Sequence, residues 1–380
     1  MSVELLAEPQ PRIPVQLRDV QQAPQAELAR RIRAAKAKLG GRLMILGHHY
    51  QKDEIIQFAD VRGDSYGLSV KAAETKGVEY VIFCGVHFMA ETADVLTEPQ
   101  VEVILPDLGA GCSMADMADI DQVEACWEEL DEIYGDADAE FTPVTYINST
   151  AALKAFCGKH GGIVCTSSNA EQVLKWALER RPRVLFFPDQ HLGRNTAKRM
   201  GIALDKMHVW DPRLPEGSRG GNQEAALKDA KVVLWRGWCS VHQMFTPAHV
   251  KMFRDRDPET KILVHPECQM EVVDMADYVG STGYIIRIVR EAPKGSKWAV
   301  GTELHLVNRL RQEFPDKEVR FLSSMVCMCA TMYRIDLPHL CWAIENLVHG
   351  VVVNRIEVAA DDRRDAILAL ERMLAIKIPG

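Results

Sequence analysis

Three cysteines in this chain stand where a metal could use them. Cys112 lies in Gly111-Cys112-Ser113, Cys239 in Gly237-Trp238-Cys239 and Cys329 in Met328-Cys329-Ala330. Each follows a strand-like run and sits beside turn or small residues. Each also closes a stretch that opens on a polar turn. The turns are Gly47-His48-His49-Tyr50, Tyr146-Ile147-Asn148-Ser149 and His265-Pro266-Glu267-Cys268. His48 to Cys112 and His265 to Cys329 span the same 64 residues (112 − 48 and 329 − 265), and Asn148 to Cys239 spans 91 (239 − 148). This repetition predicts three equivalent units that bring one thiolate each to an approximate threefold axis. Four protein ligands close a metal site, and three leave a position for substrate or water. A [4Fe–4S] cluster normally takes four cysteines; with three, the remaining iron is free to act as a Lewis acid. Zinc and three structural cysteines remain alternative readings, because the chain has no Cys-x-x-Cys pair.

The turns carry more chemistry than the thiols. His48, His242 and His265 fall at strand ends or beside a proposed ligand loop, as do Tyr50 and Glu267. A glutamate next to a Lewis acid can shift its pKa and act as a base. A hydroxyl residue recurs further on: Ser65 after Asp64, Ser167 before Ser168-Asn169, and Ser281 with Thr282. These lie 17, 19 and 16 residues after the opening residue (65 − 48, 167 − 148, 281 − 265). One such residue is ordinarily an N-cap worth about 1 kcal/mol. Three at matched positions predict three helix N-termini around one axis, whose free N–H groups and dipoles suit a polyanion.

The elements that must position these residues read as βαβ units, with short apolar runs alternating with helical patterns. Strands are predicted at Leu43–Leu46, Tyr80–Cys84 and Val101–Leu105; at Thr142–Ile147, Gly162–Cys165, Val184–Phe187 and Val232–Trp235; and at Ile262–Val264, Tyr278–Val279, Trp298–Val300 and Val319–Phe321. Residues 211–222, rich in Pro and Gly, read as an exposed insertion in the second copy. The expected organisation is a loose tail over 1–25 and α/β units over 26–118, 119–242 and 243–344. The segment 345–380, with a strand at Val351–Asn354, is expected to pack with the first unit.

A net charge of −8 argues against a general nucleic-acid surface. No apolar run reaches the roughly 18 residues of a membrane span. The N-terminus lacks the pattern of a secretory signal, so a cytoplasmic protein is expected. Ten cysteines in such a chain do not read as a disulfide framework. Cys84, Cys126, Cys157, Cys165 and Cys341 fall in strand or helix patterns and are read as small core residues.

These motifs resemble the quinolinate synthase family over residues 41 to 355. The matching segments are His48-His49-Tyr50-Gln51, Gly63-Asp64-Ser65, the run 85–91, Gly111-Cys112-Ser113-Met114-Ala115, Tyr146-Ile147-Asn148-Ser149-Thr150 and Thr166-Ser167-Ser168-Asn169-Ala170. They continue with Gly237-Trp238-Cys239-Ser240-Val241-His242, His265-Pro266-Glu267-Cys268, Gly280-Ser281-Thr282-Gly283, Gly301-Thr302-Glu303 and Cys329-Ala330-Thr331-Met332. The resemblance implies three α/β/α domains in pseudo-threefold arrangement around a central [4Fe–4S] cluster held by Cys112, Cys239 and Cys329. It implies a transferase that condenses iminoaspartate with dihydroxyacetone phosphate, losing phosphate and two waters, to give quinolinate for NAD biosynthesis. L-Aspartate oxidase, which makes iminoaspartate, would be a transient partner. Tyr50, Glu267 and His242 resemble catalytic acid/base or proton-handling residues. His48, Ser65, Tyr146, Asn148, Ser167, His265, Ser281 and Thr282 resemble the substrate-binding set. His49 is expected behind the site, and no disulfide switch is expected at Cys327. An aconitase-like hydratase and an iron–sulfur sensor are the competing classes; the sequence has no basic patch or helix-turn-helix to serve the second.

Overall fold

Strands that are apolar on both faces are stable only in a parallel sheet covered by helices. The computed structural model, which describes residues 14–325 and 328–377, contains three such sheets. In the first, β1 (Leu43–His48), β2 (Val61–Gly63), β3 (Tyr80–Cys84) and β4 (Glu102–Ile104) lie in the order β2-β1-β3-β4. In the second, β5 (Phe141–Tyr146), β6 (Ile163–Cys165), β7 (Arg183–Phe187), β8 (Met207–Trp210) and β9 (Val232–Trp235) lie as β6-β5-β7-β9-β8. In the third, β10 (Lys261–Val264), β11 (Tyr278–Val279), β12 (Lys297–Gly301) and β13 (Glu318–Phe321) lie as β11-β10-β12-β13. Neighbours pair in parallel throughout these strands. Every unit therefore reverses its winding between its first and third strands. In such sheets the crevice beyond the strand carboxyl ends at that point receives ligands.

β10 shows how the layers form. Leu263 packs with Ile285, Val289 and Leu306 on one side of the sheet, while Ile262 and Val264 pack with Phe245 and Val250 on the other. That is the period-2 alternation of a strand covered on both faces.

Several elements differ from the sequence expectation. The second unit is longer because β8 joins β9 as an edge strand ahead of the loop 211–222. Met207-His208-Val209-Trp210 is buried only at its two ends, so its apolar pattern is weak. The strand expected at Val351–Asn354 is displaced to β14 (Arg355–Ile356), which pairs antiparallel with β4. Asn354 takes φ of 50°, a left-handed conformation that asparagine tolerates, and turns the chain before the strand starts.

The tail expectation also needs correction. Over residues 14–25 the chain is docked on the helix Leu337–Val348: Val20 is buried, Trp342 Nε1 donates to the Val15 carbonyl at 2.9 Å, and Asn346 Oδ1 accepts the Val15 N–H at 3.1 Å. The segment after 345 serves two units. β14 extends the first sheet, whereas the helix Ala360–Ala375 packs on the helix Ala151–Lys159 of the second unit. The approach is close: a Cβ on Gly158 would sit 1.8 Å from the Asp365 carbonyl oxygen.

Lys154, on that same helix, is fully buried, with its ammonium bonded to the Ser149 carbonyl and over the Phe88 ring. Burial lowers its pKa to about 8, against the attraction of Glu91. The folded protein thus holds the charged form at a cost that is complete below pH 8. The cost is relieved as pH rises from 8 towards the unfolded value near 10.5, so this residue makes stability increase with pH across that window. Lys154→Met is expected to remove that slope and to raise stability at pH 7 by about 1–3 kcal/mol. Urea unfolding at pH 7, 8.5 and 10 checks this; parallel pH profiles for the two proteins would show that Lys154 is solvated in the fold.

Candidate active site

Loops from all three units meet over one cavity of about 680 Å³, counting the space at its mouth. Its wall follows the repeat. The turns after the first strands give Tyr50, Asn148, His265 and Glu267, with His48 at the end of β1 and Tyr146 at the end of β5. The turns after the second strands give Ser65, Ser167 and Thr282, at or just before the helices Ser65–Glu74, Ala170–Leu178 and Thr282–Glu291. The turns after β4, β9 and β13 give Cys112, Cys239 and Cys329, and His242 lies one turn beyond Cys239. Of the residues expected at the site, Ser281 alone does not line the cavity; its Oγ caps the helix start, accepting the Tyr284 N–H at 3.3 Å. Cys327 lies outside the described residues.

A continuous hydrogen-bonded chain crosses the cavity floor. Tyr146 donates to Glu267 Oε1 at 2.6 Å, and His242 Nδ1 lies 2.9 Å from Glu267 Oε2. His242 Nε2 lies 3.2 Å from Thr302 Oγ1, which lies 2.9 Å from the Tyr50 hydroxyl; Thr282 Oγ1 is 3.0 Å on that hydroxyl's other side. The polarity follows from the end groups. With Glu267 ionised, His242 donates through Nδ1, accepts from Thr302 through Nε2, and Thr302 accepts from Tyr50.

The electrostatics separate acid from base. Burial pushes the Tyr50 and Tyr146 phenols well above their usual value, with Glu267 adding to the effect, so both stay protonated. Burial also pushes Glu267 up, but the facing histidines and the hydrogen bonds from His242 and Tyr146 outweigh it and hold the carboxyl below its ordinary range. Burial carries His265 and His48 down to about 3, so both rings are neutral at working pH. A neutral His265 lends Glu267 no charge, which leaves the bonds from Tyr146 and His242 as its main support. Paired titratable groups driven apart in this way mark acid and base roles.

Two further observations point to ligands. Asn148 Oδ1 is buried with no hydrogen-bond partner among the described residues, a cost unless a ligand donor meets it. Helix N-termini from three units face one space, and Ser168 Oγ joins two of them through Asp64 Oδ2 at 3.2 Å.

The donor set fits a metal group. Burial pushes the Cys112 thiol up to about 12 and the Cys239 thiol well above its usual value; the Cys329 sulfur adds to the rise of both, and Cys112 to that of Cys239. Backbone N–H groups of Ala115 and Met114 point at the Cys112 sulfur, and that of His242 at Cys239. Such bonds support a metal-bound thiolate. The ligand atoms of Cys239, His242 and Glu267 also lie within 4.8 Å of one another. Both nitrogens of His242 and both oxygens of Glu267 already hold hydrogen bonds, so a metal there would break the chain described above. The three thiols give up far less. Gly237 lets the Cys239 loop approach closely: a Cβ there would sit 2.3 Å from the Pro188 carbonyl oxygen.

Residues 30–375 match the family model described as quinolinate synthetase A protein. The chain belongs to the quinolinate synthase family. The quinolinate synthase of Herpetosiphon aurantiacus is 58% identical over 351 residues, covering 92% of each chain. That of Rhodopirellula baltica is 57% identical over 360 residues, covering 92% of this chain and 91% of its own. That of a Nocardioides species is 56% identical over 369 residues, covering 95% and 92%. The family assignment agrees with an α/β enzyme of parallel sheets and with the iron–sulfur reading of its motifs.

Two participants escaped the sequence reading. Thr302 belonged to a matched motif but had no role until β12 placed it between Tyr50 and His242. Asp64 had been read only as a neighbour of Ser65. The competing donor sets separate experimentally. Cys112→Ala, Cys239→Ala and Cys329→Ala, purified without oxygen, are each expected to lose bound iron, while His242→Ala retains it. Iron lost from His242→Ala but kept by Cys112→Ala would transfer the metal to the Cys239–His242–Glu267 group.

Proposed function

We propose that this protein condenses iminoaspartate with dihydroxyacetone phosphate to quinolinate, as a transferase of NAD biosynthesis in the cytoplasm, with a [4Fe–4S] cluster on Cys112, Cys239 and Cys329. The observation that carries the reading is the buried chain Tyr146–Glu267–His242–Thr302–Tyr50, closed between three thiols and three helix N-termini. When bound, a cluster with three cysteine ligands keeps one iron without a protein ligand and supplies Lewis-acid assistance to loss of hydroxyl groups.

The rest falls to the chain's own residues. The N-termini at Ser65, Ala170 and Thr282 bind phosphate and carboxylates. Asn148 Oδ1 accepts the imine N–H. Neutral His48 and His265 hydrogen-bond substrate oxygens without neutralising Glu267. Glu267 takes a proton from substrate, and Tyr50 gives one to a departing hydroxyl, which leaves as water. A turn of the His242 ring and of the Thr302 hydroxyl reverses the polarity of the chain, which then passes the proton on Glu267 through His242 and Thr302 to the Tyr50 phenolate, and both groups are restored. Because the substrate imine hydrolyses readily, its supply calls for transient contact with L-aspartate oxidase.

Anaerobically purified protein given dihydroxyacetone phosphate and freshly generated iminoaspartate is expected to form quinolinate and to stop after air exposure. Glu267→Gln should keep its iron and lower turnover about a hundredfold or more, the usual scale for a lost general base. No product from iron-loaded protein would exclude the condensation and direct assays to dehydration of citrate or malate. Near-normal turnover of Glu267→Gln would reduce that residue to a support of its loop.

A further inference from the structure

We infer that Arg309, which does not line the cavity, is a positioning residue that sets the Tyr50 hydroxyl on its hydrogen-bond partners. The inference rests on the reading of Tyr50 as the proton donor. Arg309 lies on the helix Leu304–Glu313 of the third unit and is 6% exposed. Its guanidinium reaches into the first unit and grips the loop on both sides of Tyr50. Nη1 donates to the His49 carbonyl at 2.7 Å, Nη2 to the Gln51 carbonyl at 2.6 Å and Nε to Asp53 Oδ1 at 2.8 Å.

The loop carries Tyr50 from the first unit to hydroxyls of the third, Thr282 and Thr302. Within the first unit the His49 N–H goes to the Gly63 carbonyl at 3.0 Å, the Gln51 N–H to the His48 carbonyl at 3.0 Å and the Tyr50 N–H to His48 Nδ1 at 3.2 Å, while the Gln51 side chain is tied to the Met332 carbonyl at 3.1 Å; the His49 and Gln51 carbonyls are left to Arg309. Arg309 couples the backbone on both sides of Tyr50 to the same unit as the threonines, where the Gln51 side chain adds a single bond through Met332. A planar guanidinium meets three acceptors in fixed geometry, which an ammonium cannot reproduce. Loss of the clamp frees two carbonyls flanking Tyr50 and lets the phenol drift. Displacements of about 1 Å at a reacting group can cost about a hundredfold in rate.

The test uses iron-loaded full-length protein with Arg309→Gln, Arg309→Lys, Tyr50→Phe and the double variant Arg309→Gln/Tyr50→Phe. Arg309→Gln is expected to lower kcat about 10- to 100-fold with KM within about threefold, and Arg309→Lys to fall between it and the parent. In the Tyr50→Phe background the same change should cost no more than about twofold, the mark of two residues acting through one another. Backbone hydrogen exchange reads the clamp without turnover: amides 49–53 should exchange at least about tenfold faster in Arg309→Gln. Should that variant fail to fold, Arg309→Lys carries both measurements. Unchanged exchange at 49–53 would overturn the clamp, and so would an equal loss of kcat with and without the Tyr50 hydroxyl. A parent that forms no quinolinate defeats the proposed reaction instead, and the exchange measurement still decides the clamp.

Discussion

Glu267 is a carboxylate with almost no contact with water, and most of the architecture follows from keeping it ionised. An isolated buried charge is prohibitive, so the carboxylate must find hydrogen-bond donors inside the protein. One comes from the end of β5 and one from the turn after Cys239, both in the second unit, while Glu267 itself belongs to the third. The network reaches the first unit through Thr302 and Tyr50. No unit can assemble this arrangement alone. Three copies of one supersecondary plan must face one another, because the carboxylate's stability is distributed among them.

The common strand order explains why the copies contribute equivalent parts. In each unit the first strand ends in an acid/base or hydrogen-bonding turn, the second leads into a helix N-terminus, and the strand paired to the far side of the third leads to a cysteine. The same topology, used three times, supplies proton-handling groups, anion-binding groups and soft ligands to one cavity. The third strands add the supports: Asp189 after β7 caps a helix through the His191 and Leu192 N–H groups, and Glu303 after β12 caps another through His305 and Leu306.

What was legible in the sequence was whatever depends on local pattern or residue type. The central strands were visible because they are apolar and short, and the site residues because His, Tyr, Glu and Cys are unusual in strand-end turns. Ser281 was visible for the same reason, yet it serves as a cap, since a hydroxyl at a helix start looks the same whether it faces a ligand or its own backbone. Contacts between distant segments were not legible. Thr302 bridges Tyr50 and His242, which precede it by 252 and 60 positions, and Arg309 looks like any cation on a helix until the first unit docks on it. The docking of residues 14–25 was hidden likewise, because Val15 and Val20 are unremarkable until Trp342 and Asn346 are beside them. β8 and β14 were missed or displaced because short edge strands carry little periodic signal.

The helix Ala360–Ala375 belongs to the second unit in space but comes after the third in the chain. Domains tend to fold as they leave the ribosome, from the N-terminus onward. Here the second unit emerges with the helix Ala151–Lys159 and the adjoining β6 lacking their cover, and remains so while the whole third unit is made. Arg372, whose Nη1 donates to the Gly162 carbonyl at 2.6 Å, is made 210 positions after its partner. The second unit therefore waits for a segment made after the whole third unit. A chain released before the helix Ala360–Ala375 is made leaves the second unit open along one side, with the helix Ala151–Lys159 and β6 facing water.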